Sequence, residues 1–250
     1  MTWAWAIATC RGTSHIRDDT DCQDTSRCIA VGKDNRILVA VVSDGAGSAP
    51  HSKRGSVLAC RTVSECARQH FSKFDASPTD DEIWTWIDQT RDKISSAAEA
   101  IEAKPREFAA TLVAVIAMPT ETLLLHIGDG AAVCNYKGQW VVPSWPAHDE
   151  YASQTYFVTD DPAADLRISR LPYCVDGAGV FSDGIERLVL KFSDQTASAS
   201  FFDRFSSTVR TAGRTGNNLA LNKSLKRYLD SPAINERTDD DKSLIVAVRL

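Results

Sequence analysis

The sequence lacks the features that direct a chain to a membrane or a nucleic acid. No apolar run reaches the roughly 18 residues of a membrane span, and residues 1–7 lack the basic and long apolar regions of a signal peptide. Basic residues form no dense block, and 33 acidic against 28 basic residues give a net charge of −5. We therefore expect a cytoplasmic protein with neither membrane nor nucleic-acid partners.

The seven cysteines do not form a recognisable framework. Their number is odd, no C-x-x-C pair occurs, and their spacings fit neither zinc nor thioredoxin-type sites. Reduced and mostly buried thiols are the interpretation that we favour. The sequence also lacks internal repeats, heptads and low-complexity tracts, and 250 residues with 43% hydrophobic content predict one domain over residues 1–250.

An apolar run that ends in Asp-Gly is the most informative feature of the chain. Residues 37–42 read as a buried strand, followed by Ser43, Asp44 and Gly45. A single Asp-Gly is more often a hairpin corner. The pattern recurs, however, and a strand-end carboxylate beside a glycine carbonyl suits Mg²⁺ or Mn²⁺. The other acidic positions beside predicted strands are Gly128-Asp129-Gly130, Ser182-Asp183-Gly184 and Asp239-Asp240-Asp241.

Long helices flanking strands that follow one another in sequence predict an α+β layered sandwich, not a doubly wound sheet. Apolar residues at helical spacing indicate helices over about 52–71 and from about 79 towards Pro105, with later helices over 201–211 and 217–229. Residues 108–117, 123–127 and 131–136 read as a meander. Residues 143–175, with three prolines, predict an irregular, flap-like excursion over the surface.

Five motifs in order resemble the metal-dependent type 2C (PPM) protein Ser/Thr phosphatase family, in its short stand-alone bacterial branch. The resemblance runs over nearly the whole chain. The motifs are Gln23-Asp24, Ser43-Asp44-Gly45-Ala46-Gly47, Gly128-Asp129-Gly130, Ser182-Asp183-Gly184 and Asp240-Asp241-Lys242-Ser243.

The resemblance implies a four-layer α-β-β-α sandwich with two metal ions, Mn²⁺ or Mg²⁺, between the sheets. By position, Asp44 would bridge both ions and the Gly45 carbonyl would hold one, while Asp183 and Asp240 would hold the other. Asp24 would orient a metal-bound water, and Asp129 would help to hold a weaker third ion. The implied reaction is hydrolysis of phosphoserine and phosphothreonine on proteins by a metal-bound hydroxide.

Three departures from the family pattern concern the substrate. The phosphate-binding arginine expected five residues before Asp24 is Asp19 here, and Arg17 or His15 are its candidate substitutes. Where many eukaryotic relatives carry a histidine as general acid, this chain has Ala46, so we assign that role to His15, with His51 as the next candidate. His126 lies within an apolar strand and is interpreted as a core residue.

Two other functions stay open at this point. A pseudophosphatase would bind phosphoproteins without turnover, and the missing arginine favours it while the complete aspartate set opposes it. Another two-metal hydrolase would act on nucleotides or small phosphoesters, although the acidic balance disfavours polynucleotides. The expected partner is a phosphoprotein substrate of a Ser/Thr kinase.

Overall fold

Two sheets lie face to face with helices on both outer surfaces, which confirms the predicted α-β-β-α sandwich. The computed structural model describes residues 2–146, 155–161 and 164–250. Every strand pair is antiparallel except one short parallel pair between the first and twelfth strands. The strands are β1 Trp3–Cys10, β2 Thr25–Val31, β3 Ile37–Ser43, β4 Leu112–Ala117, β5 Thr122–Ile127, β6 Ala131–Tyr136, β7 Gln139–Val141, β8 Arg167–Leu171, β9 Gly177–Phe181, β10 Leu190–Lys191, β11 Thr196–Ala197, β12 Gly216–Asn217 and β13 Lys242–Arg249.

The helices are placed close to where the periodicity predicts them. A capping box at Thr79 and Glu82 begins the second long helix, as its sequence indicates. The helices are α1 Thr13–Arg17, α2 Ser52–Lys73, α3 Asp80–Glu99, α4 Glu186–Val189, α5 Ala199–Thr211, α6 Leu219–Leu229 and α7 Pro232–Asn235, with short 3₁₀ turns at Lys33–Asn35, Pro105–Phe108 and Asp183–Ile185. Within the described residues, no helix combines a membrane-spanning length with sufficient apolar character.

The first sheet has the strand order β2-β3-β4-β5-β8 and is covered by α2 and α3. Strand β3 is buried along its whole length because alternate side chains enter two different cores. Val39 and Val41 pack towards the helices, whereas Leu38 and Val42 point to the opposite sheet. This two-sided burial accounts for the continuous apolar run in the sequence.

The second sheet has the order β12-β1-β13-β9-β6-β7 and is covered by α5 and α6. A separate apolar cluster between the two sheets, called here the intersheet core, includes Trp3, Leu38, Val115, Leu124 and Ile245. All five side chains are at least 98% buried. This core fixes the relative position of the two sheets, and therefore of the strand ends that carry the acidic residues.

The predicted meander is wrong at its third strand. Strand β5 pairs with β4 in the first sheet, but β6 pairs with β7 and β9 in the second. The chain changes sheets at Gly128, which has φ of +99°, and a side chain there would lie 2.7 Å from Thr111 Cγ2. This change of sheet places Asp129 in the gap between the two sheets.

The predicted excursion is partly regular. Arg167–Leu171 forms β8, which pairs with β5 at the edge of the first sheet, so the prediction of irregular structure over 143–175 is wrong for these residues. Strand β8 was not predicted because three of its five residues are polar and its two apolar residues, Ile168 and Leu171, do not alternate. Residues 147–154, with His148 and Tyr151, and residues 162–163 lie outside the described residues.

Candidate active site

The predicted aspartates converge at one end of the gap between the sheets. Asp44 follows β3 and Asp183 follows β9, while Asp240 precedes β13 and Asp24 precedes β2. Asp129 lies at the change of sheet between β5 and β6. We call these five residues the carboxylate cluster. Antiparallel strands entering and leaving the sandwich at the same end bring together residues that are up to 216 positions apart.

A cavity of about 370 Å³ opens beside the carboxylate cluster. Six of the seven predicted site residues line it: His15, Asp44, Gly45, Asp129, Asp183 and Asp240. The seventh, Asp24, is fully buried beneath the cavity wall. The structure therefore brings the predicted residues into one place, and their individual roles stay predictions.

Asp24 is held by groups from three other segments. Ser182 Oγ donates to Asp24 Oδ2 at 2.7 Å, and the same hydroxyl accepts from Ser243 N at 3.0 Å. Lys53 Nζ donates to the Asp24 carbonyl at 2.7 Å. A serine before Asp183 thus joins β9 and β13 to Asp24, which explains why Ser-Asp-Gly, and not Asp-Gly alone, occurs there.

Asp44 is positioned through its backbone by β4. Its N–H donates to Thr111 Oγ1 at 3.0 Å, and its carbonyl accepts from Thr111 N at 2.8 Å. At the following residue, Gly45, a side chain would come within 2.8 Å of the backbone of Ser52 at the start of α2. Glycine is therefore required by the close approach of that helix as well as by any role of its carbonyl.

The carboxylate cluster carries uncompensated like charge. Burial and the neighbouring charges of Asp24 and Asp183 raise the pKa of Asp44 well above its ordinary value. Burial first, and then Asp129, raise the pKa of Asp183 to about 7, and burial raises the pKa of Asp24 to about 6. Burial also raises the pKa of Asp240. Such shifts mean that the ionised forms lack a positive partner.

The donor set fits hard divalent cations. One oxygen each of Asp24, Asp129 and Asp183 is buried with no hydrogen-bond partner, and carboxylate oxygens are the preferred ligands of Mg²⁺ and Mn²⁺. Among the described residues, no three acidic, histidine or cysteine side chains already lie in a coordinating arrangement. Asp44 is instead buried beside Asp24 and Asp183, and burial together with their charges opposes its ionisation.

Of the two residues predicted to replace the phosphate-binding arginine, His15 lines the cavity and Arg17 does not. Arg17 is 70% exposed and pairs with Asp18, and it does not line the cavity, while Asp19 is fully exposed beside Arg11. Among the described residues, no arginine or lysine lines the cavity. His15 is therefore the cavity-lining side chain that can carry positive charge.

Two further histidines that the sequence singled out, His51 and His126, do not line the cavity. His51 packs its ring on Phe108, with 5.1 Å between the centroids, and is not among the cavity-lining residues. His126 is fully buried in β5, with Nδ1 2.8 Å from Ser144 Oγ, and burial lowers its pKa to about 3. The interpretation of His126 as a core residue is confirmed.

Sequence reasoning missed three residues that support the site. Thr111 holds Asp44, Thr155 Oγ1 donates to Asp129 Oδ2 at 2.6 Å, and Asp241 contacts His15. Glu186 was also missed, and burial beside Asp183 raises its pKa to about 8. Of these residues, only Asp241 could have been identified from the sequence, because it is the second residue of the motif Asp240-Asp241-Lys242-Ser243 that precedes β13.

Comparison with known proteins shows which family the chain belongs to. The model of the family "Protein phosphatase 2C" matches residues 11–230. "Serine/threonine-protein phosphatase 3" of Escherichia coli (strain K12) is 35% identical over 255 residues, covering 99% of both chains.

Solved structures show the same fold at low identity. Serine/threonine phosphatase Stp1 from Staphylococcus aureus superposes with a TM-score of 0.61 at 16% identity, over 100% of this chain and 96% of that one. PppA of Pseudomonas aeruginosa gives a TM-score of 0.65 at 16% identity, over 100% and 99%. Because the family model matches residues 11–230, which are most of this chain, the chain belongs to the protein phosphatase 2C family.

Proposed function

We propose that this phosphatase hydrolyses phosphoserine and phosphothreonine on proteins, using two divalent cations, Mn²⁺ or Mg²⁺, at the carboxylate cluster. The observation that carries the proposal is the convergence of acidic residues from four chain segments on one cavity, with Asp24 from a fifth segment buried beneath its wall. A phosphomonoester is itself an anion, and a cavity whose described lining includes carboxylates but neither arginine nor lysine should repel it unless cations are bound. We therefore expect substrate binding and phosphate release to depend on bound divalent cations.

Asp44, the Gly45 carbonyl, Asp183 and Asp240 would hold the two ions, and Asp129 a weaker third. When bound, such ions lower the pKa of water and neutralise the phosphoryl oxygens. Asp24, held by Ser182, would accept a hydrogen bond from the attacking water and orient it. His15 would donate a proton to the leaving oxygen, since Ala46 offers no acidic group.

The decisive assay measures phosphate release from phosphothreonine, phosphoserine and phosphotyrosine peptides during Mn²⁺ and Mg²⁺ titrations. We expect metal-dependent release from the first two, lost in excess chelator and in Asp44→Asn and Asp183→Asn. Asp194→Asn, an exposed aspartate in the β10–β11 turn, is the matched control and should retain activity. Full activity in excess chelator would contradict the proposal.

The same assay separates the alternatives. Peptide binding with saturating metal but no turnover would identify a pseudophosphatase, although no observation of this structure favours one. Faster turnover of nucleotides than of phosphopeptides would identify a small-molecule hydrolase. An opposing Ser/Thr kinase and a cytoplasmic location stay predictions from the sequence.

A further inference from the structure

Gln23 is a buried amide in the wall of the cavity. The residue is 7% exposed and lines the cavity together with His15, Asp44 and Asp240. Its side-chain oxygen, Oε1, is buried and accepts no hydrogen bond, and no described residue accepts a hydrogen bond from its Nε2. Native proteins contain few buried polar side chains without a protein partner, because each one costs stability. The hydrogen-bonding capacity of this amide is therefore available to a molecule in the cavity.

The backbone of Gln23 is held on both sides. Gln23 N donates to Asp241 Oδ2 at 2.5 Å, and Ser56 Oγ donates to the Gln23 carbonyl at 2.6 Å. Asp241 and Ser56 are themselves buried, and the next residue along the chain, Asp24, accepts a hydrogen bond from Ser182. The start of the Gln23 side chain is thus fixed, while its terminal amide rotates about a broad, two-fold torsion and can present its N–H groups to the cavity.

The cavity offers many hydrogen-bond acceptors and few free donors. The carboxylate cluster supplies acceptors only, when it is ionised. Two of the lining hydroxyls already donate within the protein, since Ser14 Oγ donates to the Asp239 carbonyl and Thr155 Oγ1 donates to Asp129 Oδ2, each at 2.6 Å. Gln23 adds two N–H donors that no described residue accepts. An ionised phosphoryl group, whose oxygens only accept, matches these donors.

We propose that Gln23 binds the phosphoryl group of the substrate, with Nε2 donating to a phosphoryl oxygen in place of the missing arginine. Asp19, at the position where the family resemblance predicts that arginine, is fully exposed beside Arg11. A carboxamide offers planar N–H donors as a guanidinium does, but it is neutral and its hydrogen bonds are weaker. The inference rests on the proposed function, in which bound cations supply the positive charge that Gln23 lacks.

Binding of inorganic phosphate to the Mg²⁺-loaded protein, measured by calorimetry, tests this contact directly. Gln23→Met keeps the length of the side chain but has no N–H, and it should weaken phosphate binding about tenfold. Its affinity for Mg²⁺ alone should fall less than about tenfold, the smallest loss typical of a residue that supports a metal ligand. Gln139→Met, at an exposed glutamine of β7, is the matched control and should change neither affinity.

The second variant, Gln23→Glu, separates a donor from an acceptor. It keeps the size of the side chain and an oxygen that accepts hydrogen bonds, but it replaces the N–H donors with a charge that repels phosphate. Phosphate binding should therefore be weaker than in Gln23→Met. Phosphate affinity that is unchanged in Gln23→Glu would show that Gln23 acts as an acceptor, for example towards water, and would overturn the inference.

Two further measurements distinguish phosphate binding from other roles. Because the phosphoryl group is common to all substrates, Gln23→Met should lower kcat/KM for a phosphothreonine peptide and for p-nitrophenyl phosphate by the same factor, whereas a loss confined to the peptide would overturn the inference. In chelator, Gln23→Met should unfold at a urea concentration no lower than wild type, since it removes an unpartnered buried oxygen. A lower midpoint would show that the amide supports the fold instead.

These measurements keep the two proposals apart, because phosphate binding requires no turnover. A wild-type protein that binds phosphate through Gln23 but releases none from phosphopeptides refutes the proposed function alone. An active wild type whose Gln23→Met variant binds phosphate as tightly as wild type refutes this inference alone. A Gln23→Met variant that loses as much affinity for Mg²⁺ as for phosphate also refutes it, since Gln23 would then act through the metal ligands.

Discussion

The gap between the two sheets contains two regions of opposite character. The intersheet core is entirely apolar and buried, and it needs no partner outside the chain. The carboxylate cluster, at the end of the same gap, combines burial with like charge and unpaired oxygens. The comparison shows that the residues that stabilise the fold and the residues of the candidate site occupy different parts of the same gap. The intersheet core holds the strands at fixed positions, and their ends carry carboxylates that repel one another unless cations are bound.

The largest expected effect is on activity, in the carboxylate cluster. Asp44→Asn should lower metal-dependent phosphate release by at least about a hundredfold, since even residues behind metal ligands are worth that much. In chelator at pH 8 the same variant should unfold at a higher urea concentration than wild type, because a buried like charge has been removed. A variant that loses activity and stability together would show that the cluster also supports the fold.

The intersheet core should respond in the opposite way. Leu124→Ala, at a side chain that is 1% exposed, should lower the free energy of unfolding by about 2–5 kcal/mol through the cavity it leaves. Activity per folded molecule should stay close to that of wild type well below the unfolding temperature. The control is Leu219→Ala, at a side chain that is 63% exposed, with an expected change within about 0.5 kcal/mol.

The pH dependence of the chelated protein should reveal the cluster. The folded-state pKa of Asp183, about 7, lies above its unfolded value, so the folded state binds more protons between about pH 4 and 7 and stability falls as pH rises through that range. Urea unfolding with and without Asp183→Asn isolates this contribution, and the variant should show a flatter profile. The subtraction is needed because His126, with a pKa of about 3, contributes the opposite slope below pH 6.5.

The same urea unfolding measurements should be repeated with saturating Mn²⁺ in place of chelator. Bound cations favour the ionised carboxylates, so the stability lost on raising the pH in chelator should be restored by metal at pH 8. An Asp183→Asn variant whose pH profile in chelator is the same as that of wild type would contradict the description of the cluster as uncompensated charge.

The smallest expected effect is at the boundary between the two regions. Thr111 is the buried residue before β4, and Thr111→Val keeps the shape of its side chain but removes the hydroxyl that accepts from Asp44 N. The free energy of unfolding should therefore fall by about 1 kcal/mol. Metal affinity, measured by calorimetry, should fall about tenfold because Asp44 is less firmly positioned. Unchanged affinity would show that β3 alone positions Asp44.

Periodicity predicted the long elements well because their buried residues recur at regular spacing, or form an unbroken apolar run, within the element itself. Helix α2 was expected over about 52–71 and is observed over Ser52–Lys73, and β3 was expected over 37–42 and is observed over Ile37–Ser43. The sheet membership of β6 was not predictable, since its apolar pattern is the same whichever sheet it joins. Strand β8 was missed because an edge strand needs few apolar residues.

The resemblance of five ordered motifs to the type 2C phosphatase family predicted which aspartates meet, whereas the apolar runs beside them indicated only that several acidic residues adjoin buried strands. What the sequence alone could not decide was how the remaining polar groups are shared. That Asp241 turns to His15, that Arg17 points to solvent and that Thr111 holds Asp44 all depend on contacts between segments far apart in the chain. Local sequence fixes what a strand buries, whereas a hydrogen bond between distant loops exists only once packing has set their separation.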